Sequence, residues 1–550
     1  MIDTPAPGNA ATSQQSGRSR LRARPRWAAL SESTATRAIF ALLTVWCFSY
    51  LLAVVLLRLS RGGKVNGADG TLPEDQLFYM GWIRDASESL LISNRWDLAD
   101  TSNVFLHPMY ALSGLLARLG LDVELSYLLW KPVAVVVLFA GFAAYVRRML
   151  PPGRPRIAAL LVALFFFPPA SVFVAFPPFS NEVESQMGSI ARELSAAQML
   201  WGYHHAAIAL GLMPVLLLGA ERLLGRRGSS QKALLLGTSA AGLAVSWLHP
   251  WQGLTLLLMI GGLAFWGRLS RRYMALLIPA LATSAPLVYF WALARFDDSW
   301  RRAEEGNAFL RADPWVVALA LAPLALLAVL EYRRGPHGDS ERLLLLWPPA
   351  VVALYVALIL VGIDPLHAIE GVSLPLAILT ARGATRLRLA HTLAVLGVVV
   401  LTLPLAAFGA RHISRVARGD APRDAVAATH LYTEDEWRAL RYLDSAPEPG
   451  GVLAPAGIAV GVPAFTGRKT WVGQPLWSPD FDSRWRQAEA LFDGQLGTEE
   501  ARRFVRATGA GFLLSDCRGR VALERVLGPL VVDVARFGCA AVYRVRPATR

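Results

Sequence analysis

The apolar residues of this chain gather in long blocks, and that feature limits its possible folds more than any other. A helix needs roughly 17–25 predominantly apolar residues to cross about 30 Å of hydrocarbon. Such blocks occupy residues 38–58, 123–146, 157–175, 203–221, 233–248, 250–267, 273–293, 314–331, 343–361, 368–381 and 389–410. With 54% hydrophobic and 17% charged residues, the 550-residue chain is more apolar than soluble domains of its length. The sequence predicts a polytopic α-helical membrane protein of about 11 transmembrane helices.

Clusters of basic residues predict the orientation of these helices. Cytoplasmic loops carry an excess of Lys and Arg, and the clusters here precede the first block and then fall in every second loop. They are Arg18, Arg20, Arg22, Arg24, Arg26 and Arg37; Arg147, Arg148, Arg154 and Arg156; Arg222, Arg226, Arg227 and Lys232; Arg268, Arg271 and Arg272; Arg333, Arg334 and Arg342; Arg382, Arg386 and Arg388. The net charge of +14 is thus a topology signal, and we expect no nucleic-acid partner. The pattern predicts a multi-pass protein of a bacterial plasma membrane with a cytoplasmic N-terminus.

One further apolar block, residues 104–120, is short and contains Pro108 and Gly114. Counting it as a crossing would place the Arg147–Arg156 cluster outside and invert every later cluster. We therefore interpret it as a re-entrant or interfacial helix pair, a structure that is tolerated when it packs against protein. Whether it crosses the membrane stays open.

The composition divides the chain into three parts. Residues 1–37 are rich in Ser, Ala and Arg and predict a disordered cytoplasmic tail, and the first apolar block reads as an uncleaved anchor. Residues 38–410 form the transmembrane domain with its outer loops. Residues 411–550 mix short apolar runs, Gly/Pro/Asp turns and amphipathic helices, which predicts an extracytoplasmic α/β or α+β domain.

Cys517 and Cys539 lie at the ends of neighbouring predicted strands in this C-terminal domain. In an oxidising compartment they are candidates for a disulfide. The alternative is a pair of buried free thiols.

Residues 72–88, "LPEDQLFYMGWIRDASE", mix acids with aromatic and apolar residues just after the first block. The spacing predicts an amphipathic helix in the plane of the membrane interface. The solvent-exposed side of this helix would carry Arg84, Asp85 and Glu88. Glu74 and Asp75 differ, because they fall at the start of the helix, where the chain leaves the anchor.

This acid pair, in "EDQLFY", resembles the first outer loop of the GT-C superfamily, the polytopic glycosyltransferases that use polyprenyl-phosphate sugars. In that family the loop carries an acidic residue or pair, commonly Asp-Glu or Asp-Asp, before an aromatic-rich juxtamembrane helix; here the order is reversed. The resemblance implies transfer of a sugar from a polyprenyl-phosphate donor to a glycan, lipid or protein acceptor at the outer face. It also implies a catalytic carboxylate, for which Asp75 is the first candidate and Glu74 the second.

Cationic and imidazole side chains near the outer boundary are candidates for contact with a donor phosphate. Lys131 lies in the second predicted span, where an ionisable group is costly; the alternative is snorkelling towards the surface. His204 begins another span and His249 lies in the turn "WLHPWQG". Glu370 lies near the start of the tenth block. It is a candidate either for contact with the substrate or for pairing with Lys131.

The second outer loop adds Glu182 and Glu184. Together with Asp75 they could hold a divalent cation, Mg or Mn, through carboxylate oxygens. The alternative is a hydrated acidic loop.

Two other classes of function stay open: a transporter or flippase of a lipid-linked substrate, and a non-catalytic cell-envelope assembly protein. A transporter should show polar groups at the bilayer midplane and inverted repeats, and neither is evident in the sequence. An enzyme should gather Asp75, Lys131, His249 and Glu182 or Glu184 around one outer cavity, whereas an assembly protein would leave them on separate surfaces.

Overall fold

Ion pairs between helix ends gather the predicted cytoplasmic clusters at one end of a helical bundle in the computed structural model. The pairs are Arg156–Glu32, Arg148–Glu221, Arg272–Asp339, Arg382–Glu341 and Arg386–Glu331. Partly exposed pairs of this kind contribute only about 0–1 kcal/mol each. Their value here is positional, because they show that alternate helix ends meet on one side. We call this side the basic end.

The structure describes residues 26–174, 179–225, 231–306, 312–336, 338–418, 430–519 and 521–546. Its helices are α1 (Arg26–Arg61), α2 (Pro73–Glu88), α3 (Pro108–Arg118), α4 (Val123–Leu128), α5 (Trp130–Met149), α6 (Arg154–Phe165), α7 (Ala170–Phe173), α8 (Asn181–Leu194), α9 (His204–Gly225), α10 (Gln231–Leu248), α11 (Pro250–Trp266), α12 (Leu277–Phe296), α13 (Asp298–Gly306), α14 (Pro314–Tyr332), α15 (Asp339–Val361), α16 (Ser373–Arg386), α17 (His391–Arg418), α18 (Glu434–Ser445), α19 (Ala456–Ala459), α20 (Val462–Thr466), α21 (Phe481–Phe492), α22 (Thr498–Thr508) and α23 (Leu523–Leu527). The strands are β1 (Lys64–Val65), β2 (Leu431–Tyr432), β3 (Val452–Leu453), β4 (Phe512–Ser515), β5 (Val531–Phe537) and β6 (Ala540–Val545). Short 3₁₀ helices lie at Gln198–Leu200, Arg271–Leu276, Leu366–Ile369 and Gly528–Leu530.

Seven helices in the described part of the chain are long and apolar enough to cross a membrane. They are Glu32–Arg61, Val123–Met149, His204–Gly225, Arg271–Phe296, Pro314–Tyr332, Asp339–Val361 and His391–Arg418. The four other predicted crossings overlap α6, α10, α11 and α16, which are 12 to 18 residues long. By length and composition the structure therefore supports seven spans, fewer than the 11 that the sequence predicts.

Two prolines explain why α6 is shorter than the span predicted for residues 157–175. Residues 157–175 were expected to be one span, but α6 ends at Phe165 just before Pro168 and Pro169. Proline lacks an N–H and its ring clashes with the preceding turn, which disfavours the continuation of α6 through Pro168 and Pro169. At 1.5 Å per residue, the 12 residues of α6 cover about 18 Å.

Close backbone packing brings α5 and α9 together in the helical core. A side chain at Gly141 of α5 would collide with the Gly211 carbonyl of α9. Only glycine permits this approach. It sets the spacing at which Lys131 near the start of α5 faces His204 at the start of α9.

Residues 104–120 do not form a crossing. Helix α3 has 11 residues, about 16 Å in length, and Gly114 packs directly on Ala86 of α2. The block contains one short helix packed against α2, where a helix pair was expected.

The C-terminal part contains a four-stranded sheet in the order β3-β4-β6-β5, with β3 and β4 parallel and the other neighbours antiparallel. Strand β1, from the loop after α1, pairs antiparallel with β2, with Lys64 opposite Tyr432. One hydrophobic cluster joins Leu77 and Ile83 of α2 to Val452 and Phe512 of the sheet. The first outer loop and the C-terminal part therefore share a core.

The limits of the three predicted parts can be compared with the helices. Residues 1–25 of the predicted tail lie outside the described residues, and α1 begins at Arg26. At the other limit, α17 runs through residue 411 to Arg418 before the described chain resumes at 430.

A disulfide joins Cys517, just after β4, to Cys539 in the turn between β5 and β6. Their Cα atoms are 4.8 Å apart and 22 positions separate them in the sequence. The backbone N–H groups of the two cysteines donate to Glu436 and Asp435 in the first turn of α18. The bond therefore fastens one end of the sheet to α18.

Replacing Cys517 and Cys539 together by Ser should lower the free energy of unfolding of the C-terminal part by about 2–4 kcal/mol, because the unfolded chain gains the freedom that the closed loop removes. Thermal unfolding followed by tryptophan fluorescence in detergent measures the change. A reductant should lower the midpoint of the parent protein and leave that of the double variant unchanged. Equal midpoints for the parent and the variant would show that the bond contributes nothing.

Candidate active site

Asp75 and Glu74 lie in the first turn of α2, where Pro73 begins the helix and carboxylates favour the positive end of the helix dipole. Successive side chains on a helix point about 100° apart, so the two acids face different surroundings. Oδ2 of Asp75 accepts a hydrogen bond of 2.7 Å from the Tyr203 hydroxyl. Glu74 lies within electrostatic reach of Tyr50 on α1.

Four side chains from three separate segments form what we call the acid–histidine cluster: Glu193, His249, His367 and Glu370. Nδ1 of His367 lies 2.9 Å from Oε1 of Glu370 and 3.4 Å from Oε2 of Glu193. Nε2 of His249 lies 3.4 Å from the same Glu370 oxygen. The side chain of Gln252 donates to the His367 carbonyl at 3.2 Å, which fixes the backbone of the turn.

Local structure explains how these residues reach one place. Glu193 is in the last turn of α8, and His249 is the residue that precedes α11. His367 and Glu370 belong to the 3₁₀ turn between α15 and α16. All of these are helix ends on the side opposite the basic end.

The cluster and Asp75 lie close together. Asp75 is within electrostatic reach of Arg192, Glu193 and His367. The side chains of Asp75, Arg192, Glu193, Tyr203 and His367 are each partly exposed. The carboxylate of α2 and the cluster are therefore neighbours.

Burial raises the pKa of Asp75, because a carboxylate loses hydration inside the protein. The Tyr203 hydrogen bond and the Arg192 charge act in the opposite direction without cancelling the effect of burial. A carboxylate with a raised pKa is a stronger base than a free one, which suits proton abstraction.

The pKa values of the residues in the acid–histidine cluster shift in different directions. Burial opposes the charge on His367, but the hydrogen bonds and charges of the Glu193 and Glu370 carboxylates, which accept from its ring, outweigh burial and hold the His367 pKa well above its usual value. Burial and the Glu193 charge raise the pKa of Glu370. Burial also opposes the Glu193 charge, yet His367 and Glu370 lower the Glu193 pKa. These shifts favour the charged forms of Glu193 and His367 and the protonated form of Glu370.

The same cluster has the donor set of a metal site. One ligand atom each from His249, His367 and Glu370 lies within 4.8 Å of the others, and Glu193 is adjacent to His367. Mixed imidazole and carboxylate ligands suit Mn²⁺ or Zn²⁺ better than Mg²⁺, which prefers oxygen. The residues thus fit a divalent cation.

His205, one residue after the predicted candidate, is the histidine whose ring lies near the acid–histidine cluster. Its ring lies 5.1 Å from Tyr79, 5.9 Å from His107 and 6.0 Å from His249. His204 is instead fully buried, with its ring 4.8 Å from the Tyr127 ring of α4. The sequence could not choose between the adjacent pair, since that requires the rotation of α9.

Lys131 does not reach the acid–histidine cluster. It is fully buried, forms an ion pair with Asp69 and donates to the Leu200 carbonyl at 3.0 Å. Asp69 already neutralises its charge, so the predicted phosphate contact and the pairing with Glu370 are both contradicted. Asp69 lies in the glycine-containing loop before α2, where nothing in the sequence pattern marks a buried acid.

Glu182 and Glu184 also lie apart from the cluster. They are in the first turn of α8, about 14–16 Å along the axis from Glu193, and Glu182 is exposed. The residue of α8 that reaches the cluster is Glu193, which was not among the predicted ligands. Of the residues expected around one cavity, Asp75 and His249 meet through His367, whereas Lys131, Glu182 and Glu184 do not.

Helix α2 packs against other parts of the protein, and of the three charged residues expected to face solvent only Glu88 is exposed. Asp85 is buried and accepts from the backbone and hydroxyl of Ser93, at 2.7 and 2.9 Å, and pairs with Arg95. Arg84 reaches Asp444 of α18 at 3.0 Å. The C-terminal part covers much of the side that was expected to face solvent. The charges of Arg84 and Asp85 therefore hold α2 against its neighbours.

No protein-family model and no curated protein matches the sequence. Solved structures of an oligosaccharyltransferase from Archaeoglobus fulgidus are similar. AglB in complex with an inhibitory peptide and a dolichol-phosphate shares 12% identity over 90% of this chain and 70% of that chain, with a TM-score of 0.40. The complex with Zn and sulfate shares 12% over 85% and 68%, with a TM-score of 0.36, and the apo form shares 10% over 90% and 71%, with a TM-score of 0.41.

TM-scores below 0.5 carry no argument about this chain, so its own residues must support any function.

Replacing Lys131 by Met should destabilise the protein by about 3–5 kcal/mol, because Asp69 would remain as an unpaired buried charge. The double variant Lys131→Met, Asp69→Asn should recover much of this loss. Thermal unfolding in one detergent compares the three proteins. As a control, Arg148→Gln removes half of a partly exposed pair and should cost less than about 1 kcal/mol. Additive losses in the double variant would contradict the pairing.

Proposed function

We propose that the protein is a membrane glycosyltransferase of the GT-C type. It transfers a sugar from a polyprenyl-phosphate donor to a hydroxyl of a glycan, lipid or protein acceptor at the outer face of a bacterial plasma membrane. The observation that carries the proposal is the proximity of Asp75, held by Tyr203, to Arg192 and to Glu193 and His367 of the acid–histidine cluster. The position of Glu74 and Asp75 directly after the first span agrees with the GT-C resemblance.

Asp75 acts as the general base in this proposal. As the acceptor oxygen attacks C1 of the sugar, its proton passes to the Asp75 carboxylate. The new C1–O bond forms while the bond between C1 and the phosphate oxygen breaks, and the phosphate leaves with the electron pair on its lipid. The raised pKa of Asp75 makes it a suitable acceptor of that proton.

Arg192 takes the role first assigned to Lys131. Its side chain is partly exposed near Asp75 and Glu193 and donates to Ser189 at 3.1 Å. A guanidinium can hold two phosphate oxygens at once. Arg192 therefore orients the donor phosphate and stabilises the charge that develops on it.

A divalent cation, in this proposal Mn²⁺ in preference to Mg²⁺, would be held by His249, His367, Glu370 and Glu193. When bound, such an ion supplies positive charge next to phosphate oxygens. The raised pKa of Glu370 means that metal binding would displace a proton from this cluster.

Membranes that contain the protein should transfer a labelled sugar from a polyprenyl-phosphate donor to endogenous acceptors. Asp75→Asn keeps the size of the side chain but removes the base, and we expect a loss of at least about 100-fold. The measurement is the label in the acceptor fraction per amount of folded protein. Asp298→Asn, which changes an exposed carboxylate on α13, is the matched control and should retain activity.

Full activity of Asp75→Asn would overturn the assignment of the base. If Glu74→Gln were inactive and Asp75→Asn active, the other carboxylate would be the base. Label that crosses the membrane without entering an acceptor would support the transporter alternative. No transfer and no transport by the parent would support the assembly alternative.

Divalent cations should bind the cluster even without substrate. At 100 times the dissociation constant, Mn²⁺ should stabilise the folded protein by about 2.7 kcal/mol, because it binds the native state alone. Thermal unfolding with Mn²⁺ or with a chelator measures this, and Glu370→Gln should remove most of the effect. An equal stabilisation of Glu370→Gln and the parent would place the ion elsewhere.

A further inference from the structure

A groove that faces the bilayer runs between α14 and α15. It encloses about 720 Å³, and its walls are apolar, with Val329 on α14 and Val352, Ala353 and Val356 on α15. Between Pro348 and Leu360 the α15 wall extends about 18 Å. One leaflet accounts for half of a hydrocarbon core of about 30 Å, so the groove has the depth of one lipid acyl chain.

A charged pocket of about 400 Å³ lies at the basic end between the same helices, α14, α15 and α16. Two of its arginines are neutralised: Arg382 pairs with Glu341 at 3.1 Å, and Arg386 pairs with Glu331 at 2.9 Å. The third, Arg334, is exposed and pairs with no carboxylate in the part of the chain that the structure describes. The pocket therefore has one positive charge in excess.

The groove and the pocket meet at a hydrogen bond between α14 and α15. Pro349 has no N–H, so the carbonyl of Leu345, one turn earlier, lacks its helical donor. The Tyr332 hydroxyl donates to that carbonyl at 2.9 Å. Tyr332 lines the groove and Leu345 lines the pocket, so one elongated site has an apolar part and a cationic part.

We infer that this site binds an anionic phospholipid of the leaflet at the basic end, with the phosphate beside Arg334 and one acyl chain along α15. Phosphate oxygens accept short hydrogen bonds from guanidinium groups. Basic pockets between transmembrane helices on the cytoplasmic side suit anionic headgroups. The apolar groove explains the tail, and the excess charge explains the preference for an anionic headgroup.

The proposed polyprenyl-phosphate donor fits this site less well. Its phosphate must reach Asp75, and the cationic pocket lies at the opposite end of the bundle from Asp75 and the acid–histidine cluster. The inference is independent of the proposed glycosyl transfer.

The test is lipid binding by the purified, delipidated full-length protein, measured by native mass spectrometry. Phosphatidylglycerol should bind more tightly than phosphatidylcholine with the same chains. Arg334→Gln should weaken phosphatidylglycerol about five-fold, the effect of one cation near an anionic headgroup. Arg333→Gln is the matched control, because Arg333 is an exposed neighbour that does not line the pocket.

A second variant tests the groove. Ala353→Phe fills the apolar part and should weaken both lipids, whereas Ala140→Phe, at an exposed position on α5, should weaken neither. If Ala353→Phe fails to fold, the comparison of Arg334→Gln with Arg333→Gln still decides the headgroup.

Equal binding of the two phospholipids, or equal effects at Arg334 and Arg333, would overturn the inference. Displacement of phosphatidylglycerol by polyprenyl phosphate at lower concentration, with the same sensitivity to Arg334→Gln, would identify the donor as the occupant and also overturn it. None of these measurements uses glycosyl transfer, so failure of the proposed function would leave them unaffected.

Discussion

The buried ion pair of Lys131 and Asp69 is the interaction on which the geometry of the candidate site depends. A charged amine inside protein is costly unless it is paired and hydrogen-bonded. Lys131 therefore holds two segments at once: the loop before α2, through Asp69, and the segment before α9, through the Leu200 carbonyl. Asp69 in turn donates its backbone N–H to Gln76 of α2.

This arrangement places the two members of the Asp75–Tyr203 hydrogen bond. Asp75 is next to Gln76, and Tyr203 follows Leu200 by one short turn. Gly202, between Leu200 and Tyr203 in the sequence, has a φ of 104°, and a side chain there would collide with Gln76. Asp75 is thus positioned by Lys131 and Asp69, which lie outside the acid–histidine cluster. Lys131 is a positioning residue for Asp75.

Charge is distributed in two different ways at the two ends of the bundle. At the basic end, arginines pair with carboxylates near the surface, where solvent screening leaves each pair little energy. At the other end, carboxylates and imidazoles lie deep in the protein, and their proton affinities change strongly with burial. Groups whose pKa values are pushed apart in one cavity are typical of catalytic sites, whereas the basic end has the chemistry of a lipid contact.

The sequence by itself determined that the chain is a helical membrane protein, because the length of apolar blocks depends only on local composition. It did not determine the number of long helices, which is seven by length and composition in the described part of the chain. It also singled out Asp75 and His249, since charge just after a span and histidine in a tight turn are visible in the chain. Only the tertiary structure decided which acids meet them: Glu193 and not Glu182 or Glu184, His205 and not His204, and Asp69 as the partner of Lys131. These choices depend on the rotation of α8 and α9 and on the approach of distant loops, and residues far apart in sequence leave no local pattern for such contacts.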